Sequence, residues 1–186
     1  MATSSSNRVA ITGLGVISAI GAGKDEFWQS LKTGRCGIKR VSKFDPSPYP
    51  TQFAAQLNGF DFSPYIDPKW SRRMDLTSQM AVSASKMAVK DANLDLDKEN
   101  RERVGVVVGT AMAGHAFMLE QHDVYKEKGP MRINPFTALT VFPDAPASFI
   151  SIELGLNGPS FSLATACSSA LDAVGYAFNA IRKKEL

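Results

Sequence analysis

The sequence predicts an α/β protein: a mainly parallel, mixed sheet flanked by helices. Three observations carry that expectation. Short apolar, β-branched runs alternate with stretches of helical period. Val104-Gly105-Val106-Val107-Val108 is a continuous apolar run ending at Gly109, the pattern of a central strand buried on both faces. From Ser71 to Asn93, Met74, Thr77, Met80, Ala81, Ala84, Met87 and Ala88 recur at three- and four-residue steps, a helix whose Met stripe reads as core packing.

The elements follow in order. Arg8-Val9-Ala10-Ile11-Thr12 reads as a short buried strand, with Gly13 and Gly15 as the tight turn that stops it. A helix is expected over Lys24–Lys32, with Phe27, Trp28 and Leu31 on one face and Gly34 as its stop. Residues 44–68 are rich in proline and aromatics and read as an ordered excursion with short extended pieces. A helix is expected between His115 and Lys126. Pro143 and Pro146 interrupt helix over Pro135–Leu154. Ser160–Ala164 reads as a second buried strand. From Cys167 to the end, Ala170, Leu171, Val174, Ala177, Phe178 and Ile181 keep helical spacing. The chain divides into a flexible N-terminus, residues 1–7, and one domain, 8–186.

Composition excludes several classes. Of 186 residues, 44% are hydrophobic and 21% charged, which is globular and not disordered. Twenty-one Lys and Arg against 18 Asp and Glu leave a net +3, no signature of a nucleic-acid binder. Two cysteines, Cys36 and Cys167, cannot build a disulfide framework and read as reduced cytoplasmic thiols. No apolar run reaches the length of a membrane span. Gly13-Leu14-Gly15 lacks the third glycine of a dinucleotide fingerprint, since Ser18 stands there. His115 and His122 share a helix face without a third ligand, so no metal site and no cofactor is expected.

Cys167 is the one residue with chemical promise. It lies between a small-residue strand end, Ala164-Thr165-Ala166, and a helix opening Ser168-Ser169-Ala170-Leu171. The positive end of a helix dipole and free backbone N–H groups favour a thiolate, the nucleophilic form. The same N–H groups, that of Cys167 included, can hold the oxyanion formed when sulfur attacks a thioester. An inert buried cysteine fits these residues equally well.

The run Asn157-Gly158-Pro159-Ser160-Phe161-Ser162-Leu163-Ala164-Thr165-Ala166-Cys167-Ser168-Ser169-Ala170-Leu171-Asp172-Ala173 closely resembles the nucleophile segment of β-ketoacyl-acyl-carrier-protein synthases, the condensing enzymes of fatty-acid and polyketide synthesis. Residues 9–18 resemble the family's opening strand and turn, Arg72-Arg73-Met74-Asp75 the start of its long helix, and Val108–Gly114 and Asn134-Pro135-Phe136 its pocket loops. Ala-Thr-Ala-Cys, in place of Asp-Thr-Ala-Cys, leans towards the discrete type II enzymes. The resemblance implies a layered thiolase-like fold, of which this chain is the N-terminal portion. It implies transfer of an acyl group from a carrier to Cys167, then decarboxylative Claisen condensation with a malonyl-carrier. Met112, Ala166, Phe136 and, from a partner subunit, Thr137 match the acyl pocket, with Met112 as a gate on its depth.

The same resemblance implies docking of an acidic acyl carrier protein on Lys69, Arg72, Arg73 and Arg132. Lys32, Arg35, Lys39, Arg40 and Lys43 make a second basic stretch with no acid between Phe27 and Phe44. The family also uses two histidines, a lysine and a glycine-rich loop beyond the nucleophile, and none follows Cys167 here. The chain is therefore expected not to condense by itself, and to form a homodimer or a heterodimer with a chain supplying the missing half. Two other readings remain: a non-catalytic carrier-binding or chain-length-determining subunit, which typically lacks the cysteine, and an unrelated cysteine acyltransferase or hydrolase, which needs a histidine placed against Cys167.

Overall fold

The computed structural model describes residues 8–186, so the expected flexible N-terminus lies outside the described residues. Residues 8–16 form no element and pair with no described strand, and Ile11 is 80% exposed, which corrects the buried strand expected over Arg8–Thr12. The first pairing comes later. β1 (Ile17–Ser18) and β2 (Gly21–Ala22) form an antiparallel pair around a turn at Ala19–Ile20, so the turn is not at Gly13–Gly15.

Helix α1 (Lys24–Lys32) has the expected bounds. It stops because Gly34, at φ +66°, bonds back to the Leu31 carbonyl while Arg35 N–H reaches the Ser30 carbonyl. Its apolar face is poorly covered, with Trp28 and Leu31 exposed. β3 (Ile38–Arg40) and β4 (Phe53–Ala55) pair antiparallel; β4 is a short extended piece of the proline-rich excursion 44–68, and its partner β3 lies ahead of it.

The long helix is split. α2 (Pro68–Ser71) starts at Asp67, whose side chain accepts from Lys69 N–H, with Pro68 in the first turn. α3 (Leu76–Asp91) begins afresh at Asp75, whose carboxylate accepts from Thr77 and Ser78 N–H, so the helix does not run unbroken from Ser71. A good cap outcompetes continuation. The deepest α3 positions are Ser78, Val82 and Ser83, and of the Met stripe Met74, just ahead of α3, lies in the core.

The opposite side of α3 explains the early glycines. A Cβ on Gly13 would lie 2.2 Å from the Ala88 carbonyl oxygen, and one on Gly15 1.8 Å from that of Ala84. Residues 8–16 thus lie directly on helix backbone, and only residues without a side chain allow it. Asp91 anchors the segment, accepting from Leu14 N–H at 3.0 Å and pairing with Lys24. The Lys24 hydrogen bond first, then that of Leu14, holds the Asp91 carboxyl below its ordinary range, and Asp91 raises Lys24 in return. The tie is therefore present at neutral pH, lost as pH falls through the lowered carboxyl pKa or rises through the raised ammonium one.

β5 (Val106–Gly109) follows a single helical turn at Arg101–Arg103. α4 (His115–Lys128) leads to α5 (Thr137–Thr140) and α6 (Ala145–Leu154). Pro146 sits in the first turn of α6, where its missing N–H costs nothing, so it opens this helix rather than interrupting it. β6 (Ser160–Leu163) pairs parallel with β5, Val106 opposite Ser160 and Gly109 opposite Leu163. α7 (Ser169–Arg182) closes the chain. The parallel pair is the one parallel ladder among the described residues, and the other two ladders are antiparallel.

Helices cover both faces of that pair. Ser160 hydrogen-bonds Ser151 of α6 at 2.9 Å, while the next residue, Phe161, meets Tyr176 of α7 edge-on at 4.8 Å. Strand alternation thus puts α6 and α7 on opposite faces. The core lies on the α6 side, where Ile66, Met74, Val82, Val106, Phe149 and Ile150 pack together. Lys86 of α3 ties the same layer, reaching Glu153 of α6 at 2.5 Å and the Tyr65 carbonyl at 2.6 Å. On the α7 side the contact is tighter: a Cβ on Gly109 would stand 2.2 Å from the Ser169 oxygen.

Two glycine substitutions test this packing. Gly15→Ala should displace residues 8–16 and lower stability in urea denaturation by about 2 kcal/mol. Gly175→Ala, inside α7 with nothing within 4 Å of the new carbon, should raise it by about 0.5–1 kcal/mol. Equal effects of the two substitutions would show that close approach to α3 does not govern the first.

Candidate active site

The strands of the parallel pair point the same way, so the loops that leave their C-terminal ends emerge side by side. Thr110 N–H donates to the Leu163 carbonyl at 3.0 Å and closes the ladder at that end. Three residues past Gly109 comes Met112, and four past Leu163 comes Cys167. The two sequence-predicted residues thus spring from neighbouring strand ends.

Cys167 sits in a single helical turn, Ala166–Ser168, ahead of α7, and is exposed rather than buried. The residue before it, Ala166, has φ +56°. A side chain in the left-handed region costs roughly 1–3 kcal/mol, and it is held here by hydrogen bonds on both sides. Thr165 N–H donates to the buried Ser169 hydroxyl at 2.9 Å, and that hydroxyl donates to the Ala166 carbonyl at 2.6 Å. The Thr165 hydroxyl binds the Asp172 carboxylate one turn into α7, and Ser168 Oγ lies 2.9 Å from the Thr165 carbonyl. The result is a sharp strand-to-helix turn that lifts one thiol clear of the backbone. Ser169 and Asp172 were not singled out from the sequence, although a serine opening a helix is a recognisable capping signal.

The other expected residues separate into two groups. Met112 (63% exposed) and Ala166 (exposed) belong to the two strand-end loops. Phe136 and Thr137 lie elsewhere. Thr137 Oγ1 donates to the Asn134 carbonyl at 2.6 Å, and the Phe136 ring faces the Arg73 guanidinium at 4.8 Å. Among the described residues, no hydrogen bond or ring contact joins either to the Cys167 turn. Phe136 instead lines an apolar groove of about 370 Å³ with Trp70, Leu139, Phe142 and Ile152.

The basic residues are arranged along one short segment. Lys69, Arg72 and Arg73 are exposed on or just beyond α2, and Arg73 lies between the rings of Trp70, at 4.6 Å, and Phe136. Arg132 is exposed in the turn Pro130–Arg132 after α4. Among the described residues none of these four has a carboxylate partner. In the second basic stretch, Arg35 pairs with Glu26 at 3.3 Å, and Lys39 and Arg40 are exposed on β3. His115 and His122 are exposed on α4. No cluster of three metal-ligating side chains exists among the described residues, and no described helix is long and apolar enough to cross a membrane.

Comparison with known proteins agrees with this geometry. Residues 6–186 match the family model of the beta-ketoacyl synthase N-terminal domain. The chain is 35% identical over 180 residues to a 3-oxoacyl-[acyl-carrier-protein] synthase 2 of Staphylococcus aureus, covering 97% of this chain and 44% of that one. Among solved structures, the ishigamide ketosynthase/chain length factor superposes with a TM-score of 0.83 at 30% identity, over 95% of this chain and 44% of that chain. A type II polyketide ketosynthase in complex with its acyl-carrier protein superposes with a TM-score of 0.79 at 25% identity, over 93% and 46%. The chain spans less than half the length of these relatives. Its matched residues and its layered α/β fold place it in the beta-ketoacyl synthase family, where it corresponds to the N-terminal domain.

Proposed function

We propose that this chain is the nucleophile-bearing portion of a β-ketoacyl-acyl-carrier-protein synthase of fatty-acid or polyketide synthesis, and that Cys167 accepts the acyl group. The observation that carries this reading is the exposed thiol on a hydrogen-bonded turn at the C-terminal end of a parallel strand pair. Cys167 sulfur attacks the acyl-carrier thioester and the carrier thiol leaves, taking the proton, so that a new thioester holds the acyl chain. The Cys167 N–H, at the free end of the helical turn, is a donor for the oxyanion. In the second stage a malonyl-carrier loses carbon dioxide, and its carbanion attacks the acyl-cysteine and returns the thiolate. In this reading condensation takes place in a homodimer or heterodimer that brings the family's decarboxylation residues to Cys167.

Met112, Ala166 and Phe136 belong to the acyl pocket in this reading, with Thr137 contributed across a dimer. Lys69, Arg72, Arg73 and Arg132 receive the acidic carrier, and two free thiols fit a reducing cytoplasm. The solved carrier complex of a relative supports the docking reading. A chain-length-determining subunit is the second reading, favoured by the likeness to a ketosynthase/chain length factor. Retention of Cys167 weighs against it.

Incubation with an acyl-carrier thioester should add one acyl mass to the protein, and Cys167→Ala should abolish the adduct. Labelling of the Ala variant would remove Cys167 from the mechanism, and an unlabelled wild type would favour the chain-length reading. Arg72→Glu should weaken carrier binding by about tenfold at low salt and by less at high salt, since exposed charges are screened. A salt-independent loss, read by titration, would assign Arg72 to folding instead.

A further inference from the structure

Asp75 does more than start a helix. Among the described residues it is the one buried ionisable side chain, at 8% exposure. Its Oδ1 accepts from Ser78 N–H at 2.9 Å and its Oδ2 from Thr77 N–H at 3.2 Å, which completes the cap of α3. Oδ2 also accepts from the N–H of Gly114, 39 residues away, at 3.3 Å. Gly114 is the first residue before α4, has φ +79°, and has no side-chain cap of its own. A Cβ there would lie 2.5 Å from the Thr140 carbonyl oxygen, so the end of α5 presses on it. The fully buried Thr140 hydroxyl in turn lies 2.9 Å from the Phe136 carbonyl and 3.1 Å from that of Arg73.

The loop between Gly109 and Gly114 is therefore held at both ends, by Leu163 at Thr110 and by Asp75 at Gly114. Inside it Ala113 is buried, at 1% exposure, and Met112 projects. We propose that Asp75 is a positioning residue for acyl-chain selection: its carboxylate sets the Gly114 end of this loop and thereby where Met112 stands relative to the chain that Cys167 receives. This rests on the acyl-transfer reading above. A residue that only capped α3 would not reach across to α4.

Asp75→Ser separates the two roles, because serine caps a helix about as well as aspartate but offers one oxygen on a shorter arm. The protein is offered an equimolar mixture of a short and a long acyl-carrier thioester, and the ratio of the two Cys167 adducts is read by intact mass. That ratio does not depend on how much protein is folded. Asp75→Ser should shift it by about fivefold, the effect of one lost hydrogen bond, and Asp75→Ser in a Met112→Ala background should add no further shift. An unchanged ratio, or a full shift in the Met112→Ala background, overturns the proposal. Amide exchange at Gly114 should also accelerate in Asp75→Ser, and unchanged protection overturns the proposal whether or not any acyl group is transferred. A wild type without adducts, or adducts that persist in Cys167→Ala, overturns the acyl-transfer reading itself.

Discussion

The close approach of α7 to β5 at Gly109 is the contact on which the geometry of the candidate site depends. A strand and a helix usually pack with side chains between them, and here the helix backbone lies where a side chain of residue 109 would be. This brings the first turn of α7 down onto the strand ends and makes the connection from β6 short and sharp. The strain at Ala166 follows from it, because the chain has only Ala164 to Ser168 in which to reverse from strand to helix. Ser169 and Asp172, inside the helix, then hold the turn from below. The sharp turn that presents the thiol thus goes with a close approach on the neighbouring strand.

Much of this was legible in the residues. Helix α1 falls on its expected bounds, and the parallel pair falls on the two apolar runs read as strands, with β5 reaching one residue further to Gly109. The local pattern around Cys167, small residues before a helix opening, matches its place in the helical turn ahead of α7. What failed did so for tertiary reasons. Arg8–Thr12 has every local property of a strand, but a strand needs a neighbour with free hydrogen-bonding groups, and none is beside it among the described residues. The glycines after it looked like a turn because glycine has two uses, positive φ and close approach, and sequence does not tell them apart. Helical spacing in α7 marked an apolar helix correctly without saying which face meets the sheet. Its small residues, Ala173 and Ala180, are buried, while Leu171 and Val174 are exposed.

The same limit hid Asp75. As a cap it could be read from one helix, yet its bond to Gly114 joins residues with no local relation. Long-range polar contacts of this kind leave no periodic trace, and only the folded backbone brings them together.

The backbone bonds also give the two proposed roles, carrier docking and acyl transfer, one shared scaffold. The basic side chains of Lys69 and Arg72 are exposed and unpaired, so they can adjust to a partner at little cost. The backbone beneath them cannot adjust, since the Arg73 carbonyl is held by Thr140 and the next turn by Asp75. From Asp75 the connection runs through Gly114 to the Met112 loop, and from Thr110 across the ladder to Leu163, four residues before Cys167. In the proposed function, exposed charges on a hydrogen-bonded frame suit a surface that releases a carrier while the acylated thiol keeps its place. A frame of flexible loops would place the same charges at the surface, but it would not hold Met112 and Cys167 in register as the proposed acyl transfer from a carrier requires.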